Sequence, residues 1–136
     1  MKEWLKINVG VEGDISNVKS LKINGRHIKE IPEYVCLLEN LKFLSIEKTN
    51  IEEIPESIKD IVTLKGLNVK ENNKLKQLPD SINELVELEY LDVSSNNLQK
   101  LPKSMKNLTN LKFFSFSFNE ITDFPEDLHE LKNLEI

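Results

Sequence analysis

The sequence has 136 residues, enough for one domain with one continuous hydrophobic core. It is 39% hydrophobic and 30% charged, which excludes a disordered chain, and no apolar run is long enough to span a membrane. The formal net charge of −5 argues against a nucleic-acid-binding domain, and the single cysteine, Cys36, excludes an internal disulfide framework.

The first segment, residues 1–14, alternates apolar and polar residues and ends at the turn signal Gly13–Asp14. The alternating apolar residues are Leu5, Ile7, Val9 and Val11. Alternation of this kind predicts a strand that caps the core, either parallel to the next strand or as the antiparallel arm of a hairpin. The segment lacks the apolar stretch of a secretory signal, and together with the lone cysteine this favours a cytoplasmic location.

From residue 15 onward, one apolar pattern repeats about every 23 residues. Each unit has seven apolar slots, and the slots of the fourth unit are Leu85, Leu88, Leu91, Val93, Leu98, Leu101 and Met105. The units are residues 15–37, 38–60, 61–84, 85–107 and 108–130, and residues 131–136 begin a sixth. The third unit has one extra residue around 72–74. All five prolines directly follow the sixth slot of their units: Pro32, Pro55, Pro79, Pro102 and Pro125. Apolar residues and prolines therefore repeat with the same period.

The stretch "LEYLDVSSNNLQKLPKSMKNL" resembles a leucine-rich repeat of the 23-residue class with the pattern L-x-x-L-x-L-x-x-N-x-L-x-x-L-P-x-x-I. The resemblance covers residues 15–131. It implies an α/β solenoid, a right-handed superhelix with a parallel sheet on the concave face and short helical or 3-10 segments on the convex face. Alternation at period two places the strands near residues 19–24, 42–47, 65–70, 89–94 and 112–117.

The turn after each strand has an asparagine slot, occupied by Arg26, Thr49, Asn72, Asn96 and Asn119. Stacked asparagine amides are known in this family to satisfy backbone groups of the neighbouring coil. Because Arg26 and Thr49 depart from the pattern, we expect a poor ladder in the first two units. After each proline, an acidic residue favours the start of a short helical turn, and Lys103 is the exception.

The outward slots of the strands contain three aromatic residues in the same position, Phe43, Tyr90 and Phe113, with Gly66 leaving a gap between the first two. Large aromatics on a polar face are candidate contacts for a partner protein. Asn68 and Asp92 could fix the partner's orientation, and Phe118 would extend the apolar patch. The alternative is that these aromatics only stabilise the sheet by cross-strand packing. Glu47, Lys48 and Lys70 are interpreted as a solvated face.

The sequence offers no catalytic constellation. His27 and His129 fall in slots that a solenoid spreads apart, and Cys36 is interpreted as a packed small hydrophobe. We therefore predict a non-catalytic protein–protein interaction module, with no cofactor, no metal, no nucleic acid and no membrane partner. The alternatives are the recognition part of a larger kinase, GTPase or ubiquitin-ligase type protein, or a purely structural array.

The segment "LKNLEI" matches only the opening of a sixth unit. An uncapped solenoid leaves core slots open at its end, here Phe114, Phe116 and Leu128. We expect this end to continue into a longer repeat protein or to pair in a homodimer.

Overall fold

The computed structural model describes residues 2–135, except for the side chain of Lys2. The chain begins with an α-helix, α1 (Lys2–Val9), so the prediction of a strand over Leu5–Val11 is wrong. The helix fully buries Leu5 and half-buries Trp4 and Val9, but it leaves Ile7 70% exposed. Leu5 and Val9 are four residues apart, a spacing that fits one face of a helix as well as one face of a strand. In the structure they lie on the helix face that packs against the core.

Five parallel strands follow in chain order, each paired with the next. They are β1 (Ser20–Asn24), β2 (Phe43–Glu47), β3 (Gly66–Asn68), β4 (Tyr90–Asp92) and β5 (Phe113–Ser115). The predicted parallel sheet is confirmed, although β3, β4 and β5 are shorter than predicted. Ladder hydrogen bonds continue beyond the short strands, as from the Val69 amide to the Asp92 carbonyl and from the Val93 amide to the Ser115 carbonyl.

The core is one continuous cluster that runs the length of the solenoid. All apolar slots of the second, third and fourth units are buried. Only the terminal units have partly exposed slots, and in the fifth unit these are Phe116, Ile121, Phe124 and Leu128. Phe114 is fully buried, which contradicts the expectation that it lies open, because Leu131 and Leu134 of the sixth unit belong to the same core. Ile136, the last residue of that unit, lies outside the described residues.

The asparagine slots form a buried ladder of side-chain amides. The Asn72 Oδ1 atom accepts hydrogen bonds from the amide and the hydroxyl of Thr49, and the Asn96 Oδ1 atom accepts one from the Asn72 amide. Thr49 is fully buried and bonded to Asn72, but its hydroxyl donates to the Asn72 Oδ1 atom, whereas the amides of Asn72 and Asn96 donate to carbonyls of the preceding coil. Arg26 is exposed and instead donates to the carbonyls of Thr49 and Glu71.

Convex 3-10 turns follow four of the five prolines, over Glu33–Leu37, Glu56–Asp60, Asp80–Glu84 and Glu126–Glu130. The predicted turn after Pro102 is missing. In the other units, the amide of the seventh slot donates to the proline carbonyl, whereas the Met105 amide donates to the Asp127 carboxylate of the next coil at 3.1 Å. The hydrogen bonds from Ser104 and Met105 outweigh the burial of this carboxyl, and they hold the pKa of Asp127 below its ordinary value.

The extra residue of the third unit is absorbed in the turn after Asn72. Asn73 and Lys74 are both exposed there, and the Leu75 amide closes the turn by donating to the Asn72 carbonyl at 2.9 Å. The register of the sheet is unaffected, since Gly66 pairs with Tyr90 as Phe43 pairs with Gly66.

Candidate functional site

The residues that open the five strands form one column across the concave face of the sheet. The register pairs them in the order Ser20, Phe43, Gly66, Tyr90 and Phe113. We call Phe43, Tyr90 and Phe113 the aromatic column. Their side chains point outward because each precedes a buried core slot by one residue in an alternating strand. The structure therefore brings together the three aromatic residues that the sequence singled out.

Tyr90 and Phe113 form a stacked pair, with ring centroids 4.7 Å apart and planes inclined by 8°. Tyr90 remains 39% exposed and Phe113 38% exposed. Burial first, and then the nearby charge of Asp92, raise the pKa of Tyr90 above its ordinary value. The phenol therefore stays neutral, and the pair presents a rigid apolar surface that is not fully covered by the protein itself.

Phe43 leans over the gap that Gly66 leaves in the column. A Cβ atom added to Gly66 would lie 2.6 Å from the Phe43 Cδ1 atom, so the absence of a side chain allows the ring to take this position. Phe43 is still 54% exposed. A groove of about 230 Å³ lies here, lined among others by Phe43, Gly66, Asn68 and Tyr90. Its size suits one side chain of a partner.

Polar residues beside the aromatic column bond mainly to one another. Asn68 donates to the Glu47 carboxylate at 2.7 Å, and Ser45 donates to the same oxygen at 2.7 Å. Asp92 is buried and accepts hydrogen bonds from the amide and hydroxyl of Ser94. The predicted orienting residues Asn68 and Asp92 thus lie next to the column, with these groups already bonded inside the sheet.

Glu47 organises this network, although the sequence suggested only a solvated charge. Its side chain is 12% exposed and lies 3.6 Å from the Lys22 ammonium. Burial opposes ionisation, but the Ser45 hydrogen bond and the charges of Lys22 and Lys70 outweigh it and lower the pKa of Glu47. Its stabilising contribution is therefore present above the ordinary pKa of glutamate and is lost as the pH falls through the lowered value. The alternation pattern marks residue 47 as outward but cannot reveal partners that lie one coil away.

Phe118 lies in the turn beyond β5 and is 84% exposed. Its φ of 56° places it in the left-handed region, and the equivalent residues of the other coils also have positive φ: Gly25, Lys48, Glu71 and Ser95. Within residues 2–135, no ring contact joins Phe118 to the aromatic column. Phe118 therefore stands apart from the stacked pair as an isolated aromatic side chain.

Replacing Phe118 with asparagine should raise the free energy of unfolding by about 0.5–1 kcal/mol, because asparagine tolerates left-handed backbone and the exposed ring contributes little burial. Urea denaturation of the variant and the parent would measure the change, with Phe118→Leu as a control that keeps an apolar side chain. A less stable asparagine variant would show that the ring packs against the protein in solution.

The histidines and the cysteine do not converge on a site. His27 and His129 are both exposed, on a turn and on a convex segment, and Cys36 is buried, which raises the pKa of its thiol. Among residues 2–135, no cluster of three or more His, Cys, Asp or Glu side chains could hold a metal ion. In the same part of the chain, no helix has the length and apolar character needed to cross a membrane.

Comparisons with known proteins give the class of the chain. The model of the Leucine Rich Repeat family matches residues 87–108. The functional domain of InlJ from Listeria monocytogenes, which includes a cysteine ladder, is similar with a TM-score of 0.72 and 26% identity, over 88% of this chain and 24% of that chain. Comparison with curated protein sequences gave no significant match.

Two further solved structures share the fold. A leucine-rich-repeat protein from Leptospira interrogans has a TM-score of 0.69 and 23% identity, over 90% of this chain and 37% of that one. The leucine-rich-repeat domain of the type III effector XopL has a TM-score of 0.69 and 19% identity, over 88% of this chain and 60% of that one.

The repeated coils and these matches define a leucine-rich-repeat solenoid fold. Such repeats commonly serve as protein-interaction modules and are typically non-catalytic. The chain spans less than two thirds of each of the three solved structures.

Proposed function

We propose that this chain is a non-catalytic module that binds a partner protein on its concave face, through the aromatic column. The observation that carries the proposal is the half-exposed stack of Tyr90 on Phe113, next to the groove over Gly66. Tyrosine is one of the residue types enriched among the few residues that dominate protein–protein binding energy.

The neighbouring polar groups favour this surface over other exposed apolar positions. A partner that covers the aromatic column must also exclude water from Asn68 and Asp92. Asn68 donates to Glu47 and Asp92 is bonded to Ser94, so these groups lose few hydrogen bonds to water when they are covered. The Asn68 Oδ1 atom is already buried, without a hydrogen-bond partner among residues 2–135. Covering the column therefore removes apolar area from water at a small polar cost.

The first experiment is to trap the partner and then measure its affinity. A photo-crosslinking amino acid at position 43 would capture a protein bound on the concave face. The double variant Tyr90→Ala/Phe113→Ala should then weaken binding of that protein by about 1–4 kcal/mol in total, measured by titration calorimetry. Both residues are partly exposed, so the fold should lose little stability.

The matched control is Leu37→Ala/Val62→Ala, which truncates two exposed apolar residues away from the concave strands. We expect its affinity to equal that of the parent. If the Tyr90→Ala/Phe113→Ala variant kept its fold and bound the partner as tightly as the parent does, the aromatic column would not be the binding site.

A second role for the same face is recognition within a larger enzyme or signalling protein of kinase, GTPase or ubiquitin-ligase type. The observation that favours it is that similar solenoids form only part of longer chains, such as the domain of the XopL effector. The full parent reading frame distinguishes this role, since it would contain a catalytic domain. A purely structural array would instead give no specific crosslink from position 43.

A further inference from the structure

A column of charged residues lies at the entry edge of the concave sheet, directly before the five strands. It consists of Lys19, Lys42, Lys65, Glu89 and Lys112, and we call it the lysine column. The backbone links its members in order, since the Lys42 amide donates to the Lys19 carbonyl at 2.7 Å and the Lys65 amide donates to the Lys42 carbonyl at 2.8 Å. Neighbouring members are therefore about one strand spacing, ~4.8 Å, apart.

The single acidic member does not neutralise the first two lysines. Glu89 lies 2.8 Å from the Lys112 ammonium and 3.4 Å from the Lys65 ammonium. Hydrogen bonds from Lys112 and Lys65 lower the pKa of Glu89, so it stays ionised and engaged with these two partners. Lys19 and Lys42 form no ion pair within residues 2–135. A chain of net charge −5 thus presents two unpaired cations side by side.

In the sequence, the two lysines directly precede two residues that line the groove over Gly66. Lys19 directly precedes Ser20 and Lys42 directly precedes Phe43, and both Ser20 and Phe43 line the groove. The backbone of the two lysines therefore adjoins the groove at the start of β1 and β2. A ligand that occupied the groove would bring its adjoining residues next to the two lysines.

We infer that the partner presents an acidic segment, with one apolar side chain in the groove over Gly66 and flanking carboxylates beside Lys19 and Lys42. This inference rests on the proposed function, because it names the chemistry of the partner at the same face. Carboxylates complement ammonium groups, which offer three donors each in flexible positions. A nucleic acid fits less well, because the chain is acidic overall and the column provides only two unpaired cations.

A random peptide library displayed on phage tests the inference directly. The library would be selected on the immobilised protein, and enriched peptides would be synthesised for affinity measurements. We expect enrichment of peptides with an aromatic or aliphatic residue flanked by Asp and Glu. Their affinity should fall as ionic strength rises from about 0.01 M to about 0.15 M, over which the Debye length shortens from about 30 Å to about 8 Å.

Three variants locate the binding. Lys19→Glu/Lys42→Glu should weaken the enriched peptides by about tenfold or more, whereas Lys29→Glu/Lys59→Glu, with the same charge change at exposed positions elsewhere, should leave affinity within about twofold. Gly66→Ala should also weaken binding, because the added methyl group collides with the Phe43 ring and fills the groove. Thermal melting of each variant would confirm that the fold is kept.

Each other outcome overturns the inference. Enriched peptides without acidic residues, weakened by Tyr90→Ala/Phe113→Ala but not by Lys19→Glu/Lys42→Glu, would leave the proposed function in place and remove the acidic segment. Failure to enrich any peptide would do the same, since a folded partner is tested separately by the crosslink from position 43. Binding of a DNA duplex or of vesicles containing phosphatidylserine through the same lysines, without acidic peptides, would assign the column to a different partner class.

Discussion

Replacing Leu91 with aspartate should unfold the protein or lower its free energy of unfolding by about 3–5 kcal/mol. Leu91 is fully buried in β4, and it is in register with Leu67 on one side and Phe114 on the other. The substitution removes a packed side chain and places a carboxylate where the neighbouring core slots are apolar. Thermal melting followed by circular dichroism would measure the loss.

Val62→Asp is the matched control for Leu91→Asp. It also replaces an aliphatic residue with aspartate and changes the net charge equally, but Val62 is 64% exposed. We expect its melting temperature to stay close to that of the parent. If the two variants melted alike, the assignment of Leu91 to the core would be wrong.

Replacing Asn72 with alanine should cost about 2–4 kcal/mol, because the loss leaves several buried groups without partners. The Asn72 side chain accepts from the Thr49 amide and hydroxyl, and it donates to the carbonyls of Ile46 and Lys70. Alanine can replace none of these hydrogen bonds, and the buried site excludes water from most of them. Urea denaturation would measure the change in midpoint and slope.

Asn73→Ala provides the control from the adjacent position, where the side chain is exposed. Both variants remove the same amide group, so a large difference between them isolates the ladder from any intrinsic effect of asparagine. Equal, small losses would indicate that backbone groups of the third coil find other partners when Asn72 is absent.

The strands and the aromatic column were predictable because both depend on a short-range rule. Alternation fixes which residues of a strand face outward, and the repeated pattern of 23 or 24 residues then places equivalent residues side by side. Phe43, Tyr90 and Phe113 follow from these two facts alone. Asn68 lies 21 residues from Glu47, and the Ser104 hydroxyl and Met105 amide lie 23 and 22 residues from Asp127. No local pattern reports whether such distant groups meet.

The prediction for the N-terminal segment was wrong for a different reason, and the bonds of Thr49 could not be predicted either. Leu5 and Val9 fit two periodicities, and only packing against the first coil decides between them. Thr49 departs from the asparagine pattern, yet its hydroxyl donates to the same Asn72 oxygen that its own amide uses. The family pattern marks Thr49 as a departure, but it does not reveal that the hydroxyl bonds to the asparagine of the next coil.

The extra residue of the third coil shows that coil length and strand alignment are independent. Buried amides of Asn72 and Asn96 fix the distance between coils, while Asn73 and Lys74 extend the loop outside that ladder. An insertion at this point therefore changes the outline of one flank and leaves the order of the concave columns intact. The turn after the asparagine is thus a place where repeats can differ in size, or accept a grafted loop, without disturbing the binding face of their neighbours.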